Sequence, residues 1–331
     1  MRESVCMRAL VTGSTGFIGT HLVAALAERG WQVRCLVRHT SRREPLAAYE
    51  VEYVVGRLED RESLHRAVQD VAVVFHLAGV TRVHLPADYD RINAEGTRNL
   101  IDACVAAAPG LRKFLLVSSI AAAGPSRTGQ ALTEADEPRP IGPYGRSKLR
   151  AERIVLSHRD RLPVAVLRPS AIYGPRDGDF LQLFRTVKYG WLPHTGARDL
   201  HVDLCYIDDL VRGMLAAADH AASVGEVFFL GGDSHTWRQL GRAIGQQMGV
   251  RVREIVLPRP LVLGAASLVE AWARLCGRVS IVNRASMLER LQPYWIYDST
   301  KAHRTFGYTP RVPLEEGVAA TLAWYRNAGW L

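Results

Sequence analysis

Short β-branched runs alternate with longer helical patterns along the first half of the chain. The runs "RALVTG", "QVRCLVR", "VEYVVG", "VAVVFHLAG", "KFLLVSS" and "PVAVLRPS" predict six strands, and the segments between them carry leucine and alanine at helical spacing. Strands this continuously apolar are buried on both faces, and strands joined by helical crossovers run parallel. The pattern predicts an α/β fold, a doubly wound parallel sheet of Rossmann type. After Pro169 the alternation weakens, and Gly, Pro and aromatic residues crowd the chain as far as Asp203. Then "LCYIDDLVRGMLAAAD" restores a strand and a helix, "GEVFFLGG" reads as one more strand, and helices are expected around 236–248, 259–276 and 314–328. The expected organisation is a main domain over 1–170, rejoined by 203–231, with a smaller mixed lobe from 171–202 and 232–331.

The 331 residues are 48% hydrophobic, enough for a substantial core. The formal net charge is +9, but basic residues are interspersed with acids, which points to anionic ligands or surfaces. No basic stripe interleaved with aromatics occurs, so nucleic acid is not an expected partner. Cys6, Cys35, Cys104, Cys205 and Cys276 stand far apart without metal-ligand spacing, as suits a reducing cytoplasm. The start, "MRESVCMRALVTG", runs almost directly into a strand and lacks the apolar region of a secretory signal. The stretch from Leu261 to Gly277 is interrupted by Glu270 and Arg274 and is too short to span a bilayer. Its bland reading is a core helix. Its alternative is a lid or an interfacial helix, which keeps peripheral membrane contact through 258–277 in view.

Chemistry enters with "LVTGSTGFIGTHLVAAL", which sets Gly13, Gly16 and Gly19 at a strand-to-helix turn. Glycines there let backbone N–H groups approach a pyrophosphate at the positive end of the helix. After the second strand, where an acidic residue would bind ribose hydroxyls, the chain has Val37 and then Arg38, with Arg42 and Arg43 following. Arginine suits a 2′-phosphate, so NADP(H) is favoured over NAD(H). In "PYGRSK", Tyr144 and Lys148 are four apart and share one face of a helix start. A free phenol is a poor base at neutral pH, and a nearby ammonium lowers its pKa. Ser118 and Ser119 end a strand at the carboxyl edge of the sheet, where a substrate oxygen could be held. His76, at a buried strand end, reads as a packed, hydrogen-bonded histidine. Asp208 and Asp209 read as a helix N-cap and first-turn charge, with no metal site.

These segments together resemble the extended short-chain dehydrogenase/reductase family, which includes sugar-nucleotide epimerases, hydroxysteroid dehydrogenases and dihydroflavonol reductases. The resemblance covers nearly the whole chain, through "TGSTGFIG", "HLAG", "NAEGTRNL", "YGRSK", "LRPSAIYGP" and "YIDDL". It implies that Tyr144 is the acid/base, that Lys148 binds the nicotinamide ribose and lowers the tyrosine pKa, and that Ser119, better placed than Ser118, binds substrate. It further implies cofactor contacts from Gly13, Thr15, Gly16, Phe17, Ile18, Gly19, Arg38, Leu58, Leu77, Ala78, Gly79 and Pro169, with structural support from Asn93. A homodimer paired through the helices starting near Asp88 and Tyr144 is implied as well.

The chain departs from the sugar-nucleotide members of that family. Ala171 stands where they usually carry an asparagine near the diphosphate, and Val202 where they tend to carry an arginine. "GRL", with Arg57, replaces the "GDL" whose aspartate meets adenine, leaving Leu58 packing and guanidinium stacking for that contact. The expectation is a hydride-transferring enzyme for an apolar secondary alcohol or ketone of steroid, terpenoid or flavonoid type. Its rivals are a nucleotide-sugar epimerase or dehydratase using the same residues, and a non-catalytic nicotinamide-binding sensor.

Overall fold

The computed structural model describes residues 7–83, 85–195, 199–276, 287–289 and 291–331, so Cys6 and Gly277 lie outside the described residues. The six expected strands are β1 (Arg8–Thr12), β2 (Gln32–Val37), β3 (Val51–Val55), β4 (Val73–His76), β5 (Lys113–Val117) and β6 (Val164–Pro169). After them come β7 (Ala171–Tyr173), β8 (Trp191–Thr195), β9 (His201–Tyr206), β10 (Val227–Leu230), β11 (Ser234–Thr236), β12 (Arg253–Leu257) and β13 (Tyr294–Trp295). β10 returns to the first six, and the seven form a parallel sheet in the order β10-β6-β5-β4-β1-β2-β3.

The two-residue alternation of each strand feeds two cores. Ala9 and Val11 of β1 pack with α1 (Phe17–Glu28) and the helix Ile207–Asp219, whereas Leu10 packs with the helices Arg61–Val68, Gly96–Ala107 and Pro143–Leu156. Both faces are therefore dry, which is why these strands read as unbroken apolar runs. Each fully buried Leu or Phe among them, such as Leu10, Phe75 and Phe114, contributes about 1.5–3 kcal/mol. Winding reverses between β1 and β4, and the carboxyl ends of those strands open a crevice, the usual ligand position in such sheets.

Beyond β6, the centre of a second sheet is β9, paired antiparallel with β11 and parallel with β13 and β7. β8 and β12 form a separate parallel pair. Most of these strands are only two to five residues long and pair across long stretches of chain, so no local periodicity announces them. The helices Trp237–Met248, Arg259–Leu275 and Leu314–Asn327 fall close to their expected spans. Their environments do not all match expectation: Leu261, Leu268, Trp272 and Leu275 are exposed, so Arg259–Leu275 is not a core helix.

Asp209 also differs. The N-cap of its helix is Tyr206, with no side-chain cap, because the two acids lie two and three residues beyond it, inside the first turn. Asp209 instead accepts the backbone N–H groups of Arg311 (2.9 Å) and Val312 (3.2 Å) and pairs with Arg212, tying a distant loop to the helix start. Asp208 stays exposed as a first-turn charge. Among the described residues no helix is long and apolar enough to cross a membrane, and no cluster of three metal-ligating side chains occurs.

Candidate active site

The crevice is built first by glycine. Gly13 has φ +71°, and a Cβ there would lie 2.9 Å from the backbone nitrogen of Ala78. A Cβ on Gly19 would lie 2.2 Å from the Gly13 carbonyl oxygen, so these two positions set how closely β1, α1 and the exit of β4 can approach. Gly16 is exposed and caps α1 in an extended conformation. The first turn of α1 holds no acid and its N-cap makes no side-chain bond, so its N–H groups and partial positive charge remain for an anion. Thr15, Phe17 and Ile18 are half-buried in the same turn, and Leu77, Ala78 and Gly79 leave β4 beside it.

A run of hydrogen bonds joins this turn to the helix that carries Tyr144. The Ala78 N–H donates to Thr12 Oγ1 (3.1 Å), and Thr12 Oγ1 contacts His76 Nδ1 at 2.7 Å. His76 Nε2 meets Thr97 Oγ1 at 2.9 Å, and Thr97 donates to the Asn93 carbonyl at 2.6 Å. Since Thr97 spends its proton on Asn93, His76 carries its hydrogen on Nε2 and accepts from Thr12 on Nδ1. Burial, and secondarily the Lys148 charge, lower the His76 pKa to about 3, which keeps it a neutral packing residue as its sequence position implied. Asn93, in a π-helical stretch (Asp90–Glu95), binds the Val80 N–H and C=O at 2.8 and 3.0 Å. Its amide also donates to Ser147 Oγ (3.0 Å), which donates to the Tyr144 carbonyl (2.7 Å).

Tyr144 is brought to Ser119 by a third close approach. Pro143 occupies the first turn of the helix Pro143–Leu156, and a Cβ on Gly145 would sit 2.2 Å from the Ala121 carbonyl oxygen. That contact seats the helix on the Ser119–Ala122 turn, where Ser119 hydrogen-bonds Tyr144. Burial pushes the phenol up to about 12 against the lowering effect of Ser119, with smaller upward contributions from Glu289, Tyr89 and Asp179. Tyr144 is therefore a protonated phenol at neutral pH.

Lys148 is buried, and its ammonium donates to the Val117 carbonyl at 2.8 Å. Burial lowers its pKa to about 8, with Glu152 acting in the opposite direction. The expected depression of the Tyr144 pKa by Lys148 is not found: the ammonium is held at the end of β5, and desolvation governs the phenol.

Ser118 turns the other way from Ser119, as alternate strand-end positions must. It donates to Glu152 at 2.5 Å, and Glu152 is clasped by Arg168 through bonds of 3.0, 3.2 and 2.7 Å. No motif announces this buried pair; its only local signals are that Glu152 stands four residues after Lys148 and that Arg168 interrupts an otherwise apolar strand.

At the far end of the crevice Arg38, Arg42 and Arg43 are exposed, and Arg43 lies over the Tyr53 ring at 4.9 Å. Leu58 is buried against Gly96, and Arg57 is exposed beside Glu59. Pro169 ends β6 in register with Leu230, while Ala171 and Val202 sit on β7 and β9 of the second sheet.

Residues 9–231 match the family model described as NAD dependent epimerase/dehydratase family. The chain is 32% identical to a ceramide reductase of Caulobacter vibrioides over 327 residues, covering 97% of this chain and 95% of that protein. It is 30% identical to 4-hydroxy-2-methyl-3-oxo-4-farnesyl-3,4-dihydroquinoline-1-oxide ketoreductase of Stigmatella aurantiaca, over 95% of each chain. The solved structure of MoeE5 in complex with UDP-glucose and NAD is similar with a TM-score of 0.77 at 26% identity, covering 97% of this chain and 99% of that one.

Proposed function

Since the chain belongs to the NAD dependent epimerase/dehydratase family and is an enzyme of the extended short-chain dehydrogenase/reductase type, we propose that it reduces an apolar ketone to a secondary alcohol with NADPH. The observation that carries this reading is Tyr144: a protonated phenol, hydrogen-bonded to Ser119 and one helical turn from the buried Lys148. A phenol of this kind can give its proton to a carbonyl oxygen in reduction and take one back in oxidation.

The residues fit a dinucleotide. The uncapped start of α1 behind Gly16 would take the pyrophosphate, Leu77 to Gly79 and Pro169 would line the nicotinamide end, and Lys148 would reach its ribose. Arg38, Arg42 and Arg43 offer exposed guanidinium groups for a 2′-phosphate, whereas Leu58, buried against Gly96, offers at most an edge to adenine. When bound, the nicotinamide supplies the hydride to the carbonyl carbon. Tyr144 donates its proton to the carbonyl oxygen while Ser119 holds that oxygen, and Lys148 would keep the nicotinamide ribose in place. Oxidation reverses each transfer, so ketone, NADPH and a proton balance alcohol and NADP⁺.

The substrate class follows from what is missing. Ala171 and Val202 are apolar where diphosphate anchors would stand, and the relatives named for ceramide and for a farnesylated quinoline act on greasy molecules. MoeE5, with UDP-glucose, keeps the epimerase reading as a rival. The division at residues 170, 203 and 231, with the nucleotide held by the first part and substrate by the second, belongs to this proposal. So does a cytoplasmic location, with which the buried free thiols of Cys35, Cys104 and Cys205 agree.

The test is turnover of steroid, terpenoid and flavonoid ketones and of UDP-sugars with NADPH or NADH. Net NADPH consumption on apolar ketones is expected, with Arg38→Asp shifting preference toward NADH by about 10-fold, or roughly 1.4 kcal/mol. Conversion of a UDP-sugar without net NADPH change would select the epimerase, tight binding without turnover a sensor, and an unaltered preference in Arg38→Asp would remove NADPH. A homodimer is also expected, because the segment from Ala87 packs on the Pro143–Leu156 helix and presents the exposed Arg150–Asp90 pair. A one-chain mass in light scattering would end that expectation.

A further inference from the structure

The helix Arg259–Leu275 is amphipathic the wrong way round. At about 100° per residue, Leu261, Ala265, Leu268, Trp272 and Leu275 fall on one stripe. That stripe faces outward, with Leu261 61%, Leu268 73%, Trp272 70% and Leu275 84% exposed. On the opposite side Ala266 is buried and Glu270 half-buried. A surface helix of a globular protein ordinarily shows its polar side to water, so a contiguous apolar stripe marks a face that docks.

We propose that this helix lies flat on an anionic lipid bilayer, with the stripe seated at the acyl boundary. Charge favours that occupant. The chain carries +9, and Arg251, Arg253 and Arg259 are exposed on the segment leading into the stripe. Size disfavours a second copy of the chain. The helix has 17 residues. That gives a length of about 25 Å, and one stripe along it is narrower than the broad face that buries about 800 Å² per partner in a stable interface. Leucine with tryptophan is the usual apolar face of helices that rest in a membrane interface. The inference goes beyond the catalytic reading and stands without it, since none of these residues belongs to the crevice.

The full chain is mixed with vesicles of phosphatidylcholine plus phosphatidylglycerol, or of phosphatidylcholine alone, and floated on a density gradient. The wild type should rise with the anionic vesicles, less with the neutral ones, and be released by high salt. The double variant Leu268→Glu/Trp272→Glu should lose bound fraction about 10-fold, roughly 1.4 kcal/mol. Leu261→Glu, at the other end of the stripe, should lose less. Unchanged melting curves and NADPH binding certify the variants as folded, so the outcome is readable even if no ketone is turned over. A wild type that stays out of both vesicles, a double variant that floats equally well, or equal flotation on neutral lipid overturns the proposal. So does a double variant of lower mass than the wild type in light scattering, which would make the stripe a protein contact.

Discussion

Tyr144→Phe should lower ketone reduction at least about 100-fold, the scale of lost general acid catalysis, while leaving NADPH affinity within a few-fold of wild type. The substitution deletes one oxygen and little else. The ring keeps its place 6.0 Å from Tyr89, and the helix keeps its seat, because Gly145 on Ala121 and Ser147 on the Tyr144 carbonyl do not involve the phenol. Steady-state turnover beside cofactor titration separates the two effects, and near-normal turnover would dismiss Tyr144 as the proton donor. The wild-type rate should also fall as pH rises past about 8, where Lys148 loses the charge with which it would hold the cofactor ribose.

Glu152→Ala should destabilise the fold by about 3–5 kcal/mol, the usual result of stranding one charge of a buried pair. Arg168 has a side chain only 5% exposed, and its three bonds to Glu152 have no solvent substitute. Thermal unfolding reads the loss directly. The double variant Glu152→Leu/Arg168→Met should recover most of it, since an apolar replacement leaves no charge behind. A Glu152→Ala protein that melts with the wild type would show that water reaches Arg168.

The parts of this molecule legible from its residues are those whose physics is local. Six strands and their helices were visible because both faces of the sheet are buried, and the glycine turn because Gly13, Gly16 and Gly19 sit at a strand-to-helix junction. The Tyr144–Lys148 pair was visible because four residues are one helical turn. Hidden were features set by distant chain. The pairing of β9 with β7, β11 and β13, the bond of Asp209 to Arg311, and the contact of Lys148 with Val117 all depend on segments that meet only after folding. The environment of the Tyr144 phenol is hidden for the same reason: a spacing rule brings the ammonium near but carries no measure of how dry the phenol is.

The polar run from Ala78 through Thr12, His76, Thr97, Asn93 and Ser147 to the Tyr144 backbone has a consequence for how the enzyme fails. Every hydrogen in it has one assigned owner, so no link can turn over alone. Under the proposed roles, a disturbance at the glycine turn is expected to reach the start of the Tyr144 helix as well, since both rest on one buried run, as the two ends of a taut cord share one tension.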